Sequence, residues 1–211
     1  KCDFLCVSGG WTPTVHLFTQ SKGKLIYREN DGAFIPKQSF QETISIGSCN
    51  GTFSLNEILD ETFLKIKEAL ISFDIIAEID QKYKSKPTKY NKHKHAWLIP
   101  SLKHPGQTKM FIDLQNDVTS KDIKIALREG FQSIEHVKRY TTTGMATDQG
   151  KTSNINALGI ISDTTNKKIE ELGTTTFRLP YTPVTFGALA GRHIKEFFDV
   201  ERKTPIHSWH V

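Results

Sequence analysis

The chain has 211 residues, with 28 Lys plus Arg against 23 Asp plus Glu and a net charge of +5 when histidine is neutral. That length admits one large or two small domains, and so modest a charge does not by itself mark a nucleic-acid or membrane-surface protein. No apolar run approaches the roughly 18 residues of a membrane span, and the odd set Cys2, Cys6 and Cys49 contains no Cys-x-x-Cys pair, so a soluble protein of a reducing, cytoplasmic compartment is expected, without a disulfide scaffold or a Cys-built zinc site.

The chain opens at Lys1 inside an apolar run and closes with Trp209 two residues from its end, so both ends read as cuts through a longer protein. Phe4 to Val7, closed by Ser8-Gly9-Gly10, fits a buried parallel strand ending in a tight turn. Lys24 to Arg28 predicts a second strand, and after Asn30-Asp31-Gly32 the segment Ala33 to Pro36 pairs with it as a hairpin. Thr43 to Ile46 reads as a further strand. Ser54 and Glu57 have capping-box spacing, and Ile58, Leu59, Phe63, Ile66 and Leu70 recur at helical intervals, predicting a helix over about 55–78.

Residues 81–107 read as a linker rich in Pro, Asn, Thr and Ser, with a strand at His95 to Ile99. Its cations Lys82, Lys84, Lys86, Lys89, Lys92 and Lys94 admit a nucleic-acid reading only if a groove or stacking platform surrounds them; a solvated linker is the simpler expectation. A second, mostly helical unit begins at Met110. Thr119-Ser120-Lys121-Asp122 opens a helix that stops at Gly130, Ser133 caps another through about Tyr140, and a third follows Lys151-Thr152-Ser153-Asn154. A short helix ends at Gly173, and Thr182-Pro183 predicts the start of the last.

Several residues invite chemistry. The pair Gly9-Gly10 lacks the Gly-x-Gly-x-x-Gly spacing of a dinucleotide fingerprint, so it reads equally as a strand-end turn or as a place where backbone approaches a flat ligand. His16 is read as structural, and His207 with His210 lack a third ligand of suitable spacing, so no metal site is expected. Gln149-Gly150-Lys151-Thr152-Ser153-Asn154 is polar and precedes a helix, which could suit an anion site, but by the residues alone an ordinary capped helix is the favoured reading.

Three stretches together resemble one family. They are Val7-Ser8-Gly9-Gly10-Trp11-Thr12-Pro13-Thr14-Val15-His16-Leu17-Phe18-Thr19-Gln20; Asp113 to Asn116 with Arg139 to Asn154; and Gly173 to Arg178 with Pro180 to Val184. They are similar to the alpha subunit of heterotetrameric sarcosine oxidase, most weakly from about 61 to 107, with Leu179 where that family has a proline. The resemblance implies an α/β plus α architecture. Residues 1–80 would be the C-terminal part of a Rossmann-like NAD-binding domain, and 81–107 a linker. Residues 108–195 would be a small helical domain like bacterioferritin-associated ferredoxin, and 196–211 the entry to an aminomethyltransferase-like, folate-binding domain.

It further implies that Gly9, Gly10, Thr12, Leu17 and Thr19 border NAD, with Trp11 and Pro13 bracing the loop. In the ferredoxin-like pattern the four ligand positions fall on Asp113, Gln115, Asp148 and Ser153, none of them a thiolate, so this copy is expected to hold no iron–sulfur cluster. Gln149, Gly150, Lys151, Thr152, Ser153 and Asn154 are then the expected contacts to an FMN at the boundary with the beta subunit, with Arg178 a second candidate. The family demethylates sarcosine to glycine at an FAD elsewhere in the complex, reduces oxygen to hydrogen peroxide and passes the one-carbon unit to tetrahydrofolate. The partners implied are the beta, gamma and delta subunits, and this fragment alone is expected to be inactive. The alternatives are the alpha subunit of a two-subunit proline or opine dehydrogenase, or a non-catalytic module that binds an acidic partner through its lysines.

Overall fold

The computed structural model describes residues 3, 4, 6, 10–76, 78, 83–88, 95–104, 107–180, 182–195 and 201–211. The chain is a mixed α/β structure: a five-residue helix α1 (His16–Gln20), a hairpin of β1 (Lys24–Arg28) and β2 (Ala33–Gln38), and helix α2 (Leu55–Ser72) lead into a compact helical part. That part comprises β3 (Phe111–Asp113), β4 (Val118–Thr119), α3 (Ser120–Arg128), α4 (Ile134–Thr141), α5 (Asn154–Thr165) and α6 (Ile169–Leu172), followed by α7 (Phe186–Ala190) and α8 (His207–His210).

The hairpin forms as its alternation predicts, antiparallel with Ile26 opposite Ile35 and Tyr27 opposite Phe34. Gly32, with φ of 59°, closes its turn in the left-handed region where a Cβ would be strained. Its paired aromatics, 5.2 Å apart, pack against the helical core rather than facing solvent. That core is one cluster: Ile112 and Val118 from the small hairpin, Ile123 and Ala126 of α3, Ile134 and Val137 of α4, Ala157, Leu158, Ile160 and Ile161 of α5, and Ile169 of α6. Ile123, Ile160 and Ile161 are wholly buried, each contributing about 1.5–3 kcal/mol of transfer free energy.

Of the cap signals in the helical part, the one before α3 acts as the sequence predicts, whereas Ser133 stands at the N-cap of α4 without a side-chain cap bond. Asp122 accepts from the Thr119 amide at 2.8 Å, completing a capping box at the start of α3. Gly130 and Gly173 follow the ends of α3 and α6 with φ of 96° and 73°. Elsewhere tertiary and local bonds overrule the pattern. The strand expected at Thr43 to Ile46 does not form, because Thr43 folds back: its amide donates to Gln41 O at 2.8 Å and its hydroxyl meets Ser39 Oγ at 2.7 Å. His95 to Ile99 is likewise no strand; His95 stacks on Trp97 and bonds Glu29 O at 3.1 Å, while Trp97 and Leu98 both pack against the core. In the predicted first strand, Phe4 and Cys6 are exposed and outside any strand, and Leu5 and Val7 lie outside the described residues.

Helix α2 stops at Ser72, well before the expected end near 78. Asp74 adopts φ of 56°, its amide donates to Ile71 O, and the Ile75 amide donates to Leu70 O at 2.9 Å. This is the Schellman closure normally signalled by glycine, here made by an aspartate that tolerates the left-handed conformation. Its predicted capping box is absent: Ser54 Oγ donates to Asn56 Oδ1 instead. The cap expected at Thr182 also moves, since Thr185 accepts from Ala188 N and starts α7 three residues beyond Pro183. The described strands pair only as two antiparallel hairpins, so no parallel pair stands among the described residues. No described helix is long and apolar enough to cross a membrane. Of the linker lysines, 84 and 86 are exposed, while Lys82, Lys89, Lys92 and Lys94 lie outside the described residues.

Candidate functional site

The segment 174–180 is an extended ledge, and each neighbouring element fastens it with a specific side chain. Glu135 on α4 accepts from the Thr176 amide at 2.9 Å. Asn154, the first residue of α5, donates to Thr175 Oγ1 at 2.9 Å and to Gln149 O at 3.1 Å. Gln149 grips the main chain three times: its Oε1 accepts from Arg178 N at 2.7 Å, and its Nε2 donates to Arg178 O at 2.8 Å and Pro180 O at 3.1 Å. From the other side, Gln20 of α1 donates to the same Arg178 O at 2.9 Å, and the His16 ring packs against Phe177 at a tilt of 49° with centroids 3.8 Å apart. The three stretches singled out by sequence therefore meet at one place.

The turn 148–153 owes its shape to two consecutive left-handed residues, Gln149 (φ 52°) and Gly150 (φ 73°). A methyl on Gly150 would overlap the Asn154 amide, so the glycine is required both by conformation and by packing. Asp148 ties the turn internally, accepting from Gly150 N at 3.0 Å and from Thr152 Oγ1 at 3.2 Å. Ser153 is buried at the N-cap of α5, and its hydroxyl caps no amide. Lys151 is half-buried and Thr152 exposed. His16 lies close enough to feel both charges of this turn: burial first, then Lys151, hold its pKa down at about 4, with Asp148 opposing. The imidazole is neutral at pH 7.

Of the four positions expected to correspond to cluster ligands, Asp113, Gln115 and Asp148 accept hydrogen bonds, whereas the buried Ser153 hydroxyl has no hydrogen-bond partner among the described residues. Buried Asp113 accepts from Gln115 N at 2.9 Å, Asn116 N at 3.2 Å and Gly144 N at 2.8 Å, joining the β3–β4 turn to the loop after α4. Gln115 Oε1 accepts from Thr147 Oγ1 at 3.3 Å, and Asn116 Nδ2 donates to Thr142 O at 2.9 Å. A carboxylate with three amide donors is well suited to hold that loop without any metal ligand. Among the described residues no three His, Cys, Asp or Glu side chains form a group able to hold a metal ion.

Of the residues expected to border NAD in a loop, two are helical. Leu17 and Thr19 lie on α1; Leu17 is 61% exposed, whereas the Thr19 hydroxyl donates to His16 O at 2.8 Å. Thr12 is exposed and Pro13 buried, and Gly10 has φ of 73° with open space where a Cβ would stand. Trp11, expected to brace the loop, is 91% exposed instead, because no described element covers it. Gly9 lies outside the described residues. An exposed leucine beside open backbone and a free-standing threonine suit the flat and polar parts of a dinucleotide. On the turn side, Lys151 carries a cation and exposed Thr152 a hydroxyl that donates to Asp148, charges and donors of the kind an anionic cofactor needs, while Gln149 and Asn154 bond the ledge. Sequence reasoning missed Gln20 and Glu135, since a glutamine or glutamate on a short helix carries no signal of a partner more than 40 residues away.

Residues 107–192 match the sarcosine oxidase A3 domain. Over its whole length the chain is 39% identical to the sarcosine oxidase alpha subunit of Corynebacterium sp. strain P-1, covering 22% of that protein. It is 39% identical to that of Rhizobium meliloti over 98% of this chain and 21% of the relative. The chain thus spans about a fifth of the length of the curated relatives it matches. Among solved structures, L-proline dehydrogenase from P. horikoshii shares the fold with a TM-score of 0.61 at 23% identity, over 86% of this chain and 38% of that one.

Proposed function

Starting from a chain that belongs to the sarcosine oxidase alpha-subunit family, we propose that it forms the junction between a nucleotide-binding part and a cluster-free helical domain of an oxidoreductase subunit. In that reading residues 1–80 belong to a Rossmann-like NAD domain and 108–195 to a ferredoxin-like one. NAD lies against Gly10, Thr12 and Leu17, and FMN at the boundary with a beta subunit lies against the turn 149–154. Lys151 and Thr152 face that cofactor, while Gln149, Gly150, Ser153 and Asn154 hold the turn in shape. The flavin supplies electron transfer when bound; the part of this chain is to orient it and to balance its negative charge. The substrate proposed for the whole complex is sarcosine, with FAD and tetrahydrofolate sites outside these residues, and gamma and delta subunits completing it.

The observation that carries this reading is the convergence of α1, the turn 148–153 and the ledge 174–180, because those stretches share no local structural reason to resemble the family together. The test is to assemble the full-length subunit with its partners and follow sarcosine-dependent oxygen uptake, bound FMN and bound NAD. Lys151→Ala is expected to lower bound FMN, and Leu17→Ala to weaken NAD about tenfold, the order expected for uncovering one apolar contact. Unchanged FMN and NAD content in both variants sinks the site assignment. Proline or an opine as the only electron donor accepted sinks the substrate assignment.

A further inference from the structure

Helix α1 presents two faces. His16 and Gln20, four residues apart, lie on one side and grip Phe177 and Arg178, while Leu17 points elsewhere and stays exposed. The carbonyl of Arg178 is the meeting point: it accepts from Gln20 Nε2 at 2.9 Å and from Gln149 Nε2 at 2.8 Å, one donor for each lone pair. Gln149 Oε1 also accepts from the Arg178 amide at 2.7 Å, so the residue at the left-handed step of the turn is tied to this peptide at both ends. His16 adds a second link, since its tilted ring packs against Phe177 within the electrostatic reach of Lys151 and Asp148.

We infer that Gln20 and Gln149 are positioning residues that join the nucleotide-side helix to the turn 148–154 through the Arg178 carbonyl, so that a nicotinamide dinucleotide seated on Thr12 and Leu17 stiffens the turn facing the flavin. This rests on the reading proposed above. It gives the dinucleotide a bracing role that requires no hydride transfer. Immobilising α1 holds the Gln20 donor in place, which holds the Arg178 peptide, which holds Gln149 in its left-handed conformation. Two sites biasing one shared element are coupled, and coupling of this kind commonly spans about 5- to 150-fold.

The experiment uses the full-length subunit assembled with its partners and NAD itself as the probe, read by amide hydrogen exchange with and without saturating NAD. Expected is a slowing of about tenfold at the amides of the turn 148–154 and of Arg178, beyond the protection at 10–20. Gln20→Met keeps the length and removes the donor; there the slowing at 148–154 falls below about threefold, while protection at 10–20 persists. Protection confined to 10–20 in the unmodified complex overturns the coupling and leaves the NAD assignment standing, and that comparison needs no variant. Equal protection of the turn in Gln20→Met also overturns it. Absence of any NAD binding overturns both the coupling and the nucleotide assignment.

Discussion

Replacing Gly150 with alanine tests whether the Asn154 amide is the clasp that holds the turn before α5. The glycine sits at φ of 73°, where a Cβ costs about 1 kcal/mol. The new methyl would also occupy the place of the Asn154 amide, which must swing away and release its bonds to Gln149 O at 3.1 Å and Thr175 Oγ1 at 2.9 Å. At about 1 kcal/mol each, those losses bring the total to about 3 kcal/mol. Asn154→Ala alone loses only the two bonds, about 2 kcal/mol. If both residues act through one clasp, the double variant loses about 3 kcal/mol rather than the additive 5, a coupling of about 2 kcal/mol. Urea midpoints at constant slope measure all three variants. An additive result, with the double variant near 5 kcal/mol, would falsify the clasp and make the two residues independent supports.

Two further predictions concern titration. His16 has a folded pKa of about 4 against an ordinary 6.5, so the unfolded chain binds more protons between those values. Its contribution to stability is complete above 6.5 and falls away as pH drops towards 4; carbon-detected titration of the His16 ring shows a neutral imidazole at pH 6, and a midpoint near 6.5 refutes the burial argument. Asp122 is held below its ordinary value of 3.8 chiefly by the Thr119 hydroxyl. Its capping bond therefore stabilises α3 above 3.8 and is lost as pH falls through the lower folded value. Asp122→Ala is expected to cost about 1 kcal/mol at pH 7 and progressively less in acid, and a pH-independent difference counts against the cap.

What the sequence determined by itself is what neighbours a few residues apart can decide. The hairpin at 24–38 is written in alternating side chains and a turn glycine, and α3 is written in the Thr119–Asp122 cap, because those partners lie within one or two turns of each other. The end of α2 was not legible, since Asp74 makes a closure that usually advertises itself with glycine. Nor were 43–46 and 95–99, where the alternation of Thr43 to Ile46 and the apolar run ending at Ile99 suit a strand without saying whether a strand partner waits beside them. The residues of the candidate site could be listed from their resemblance to a family, but not their division of labour. That Gln149 and Asn154 are spent on the ledge 174–180, and that Gln20 reaches the same carbonyl from 158 residues away, depends on which surfaces the hydrophobic core brings together. A polar side chain's partner is set by position in space, and only the packed fold fixes that.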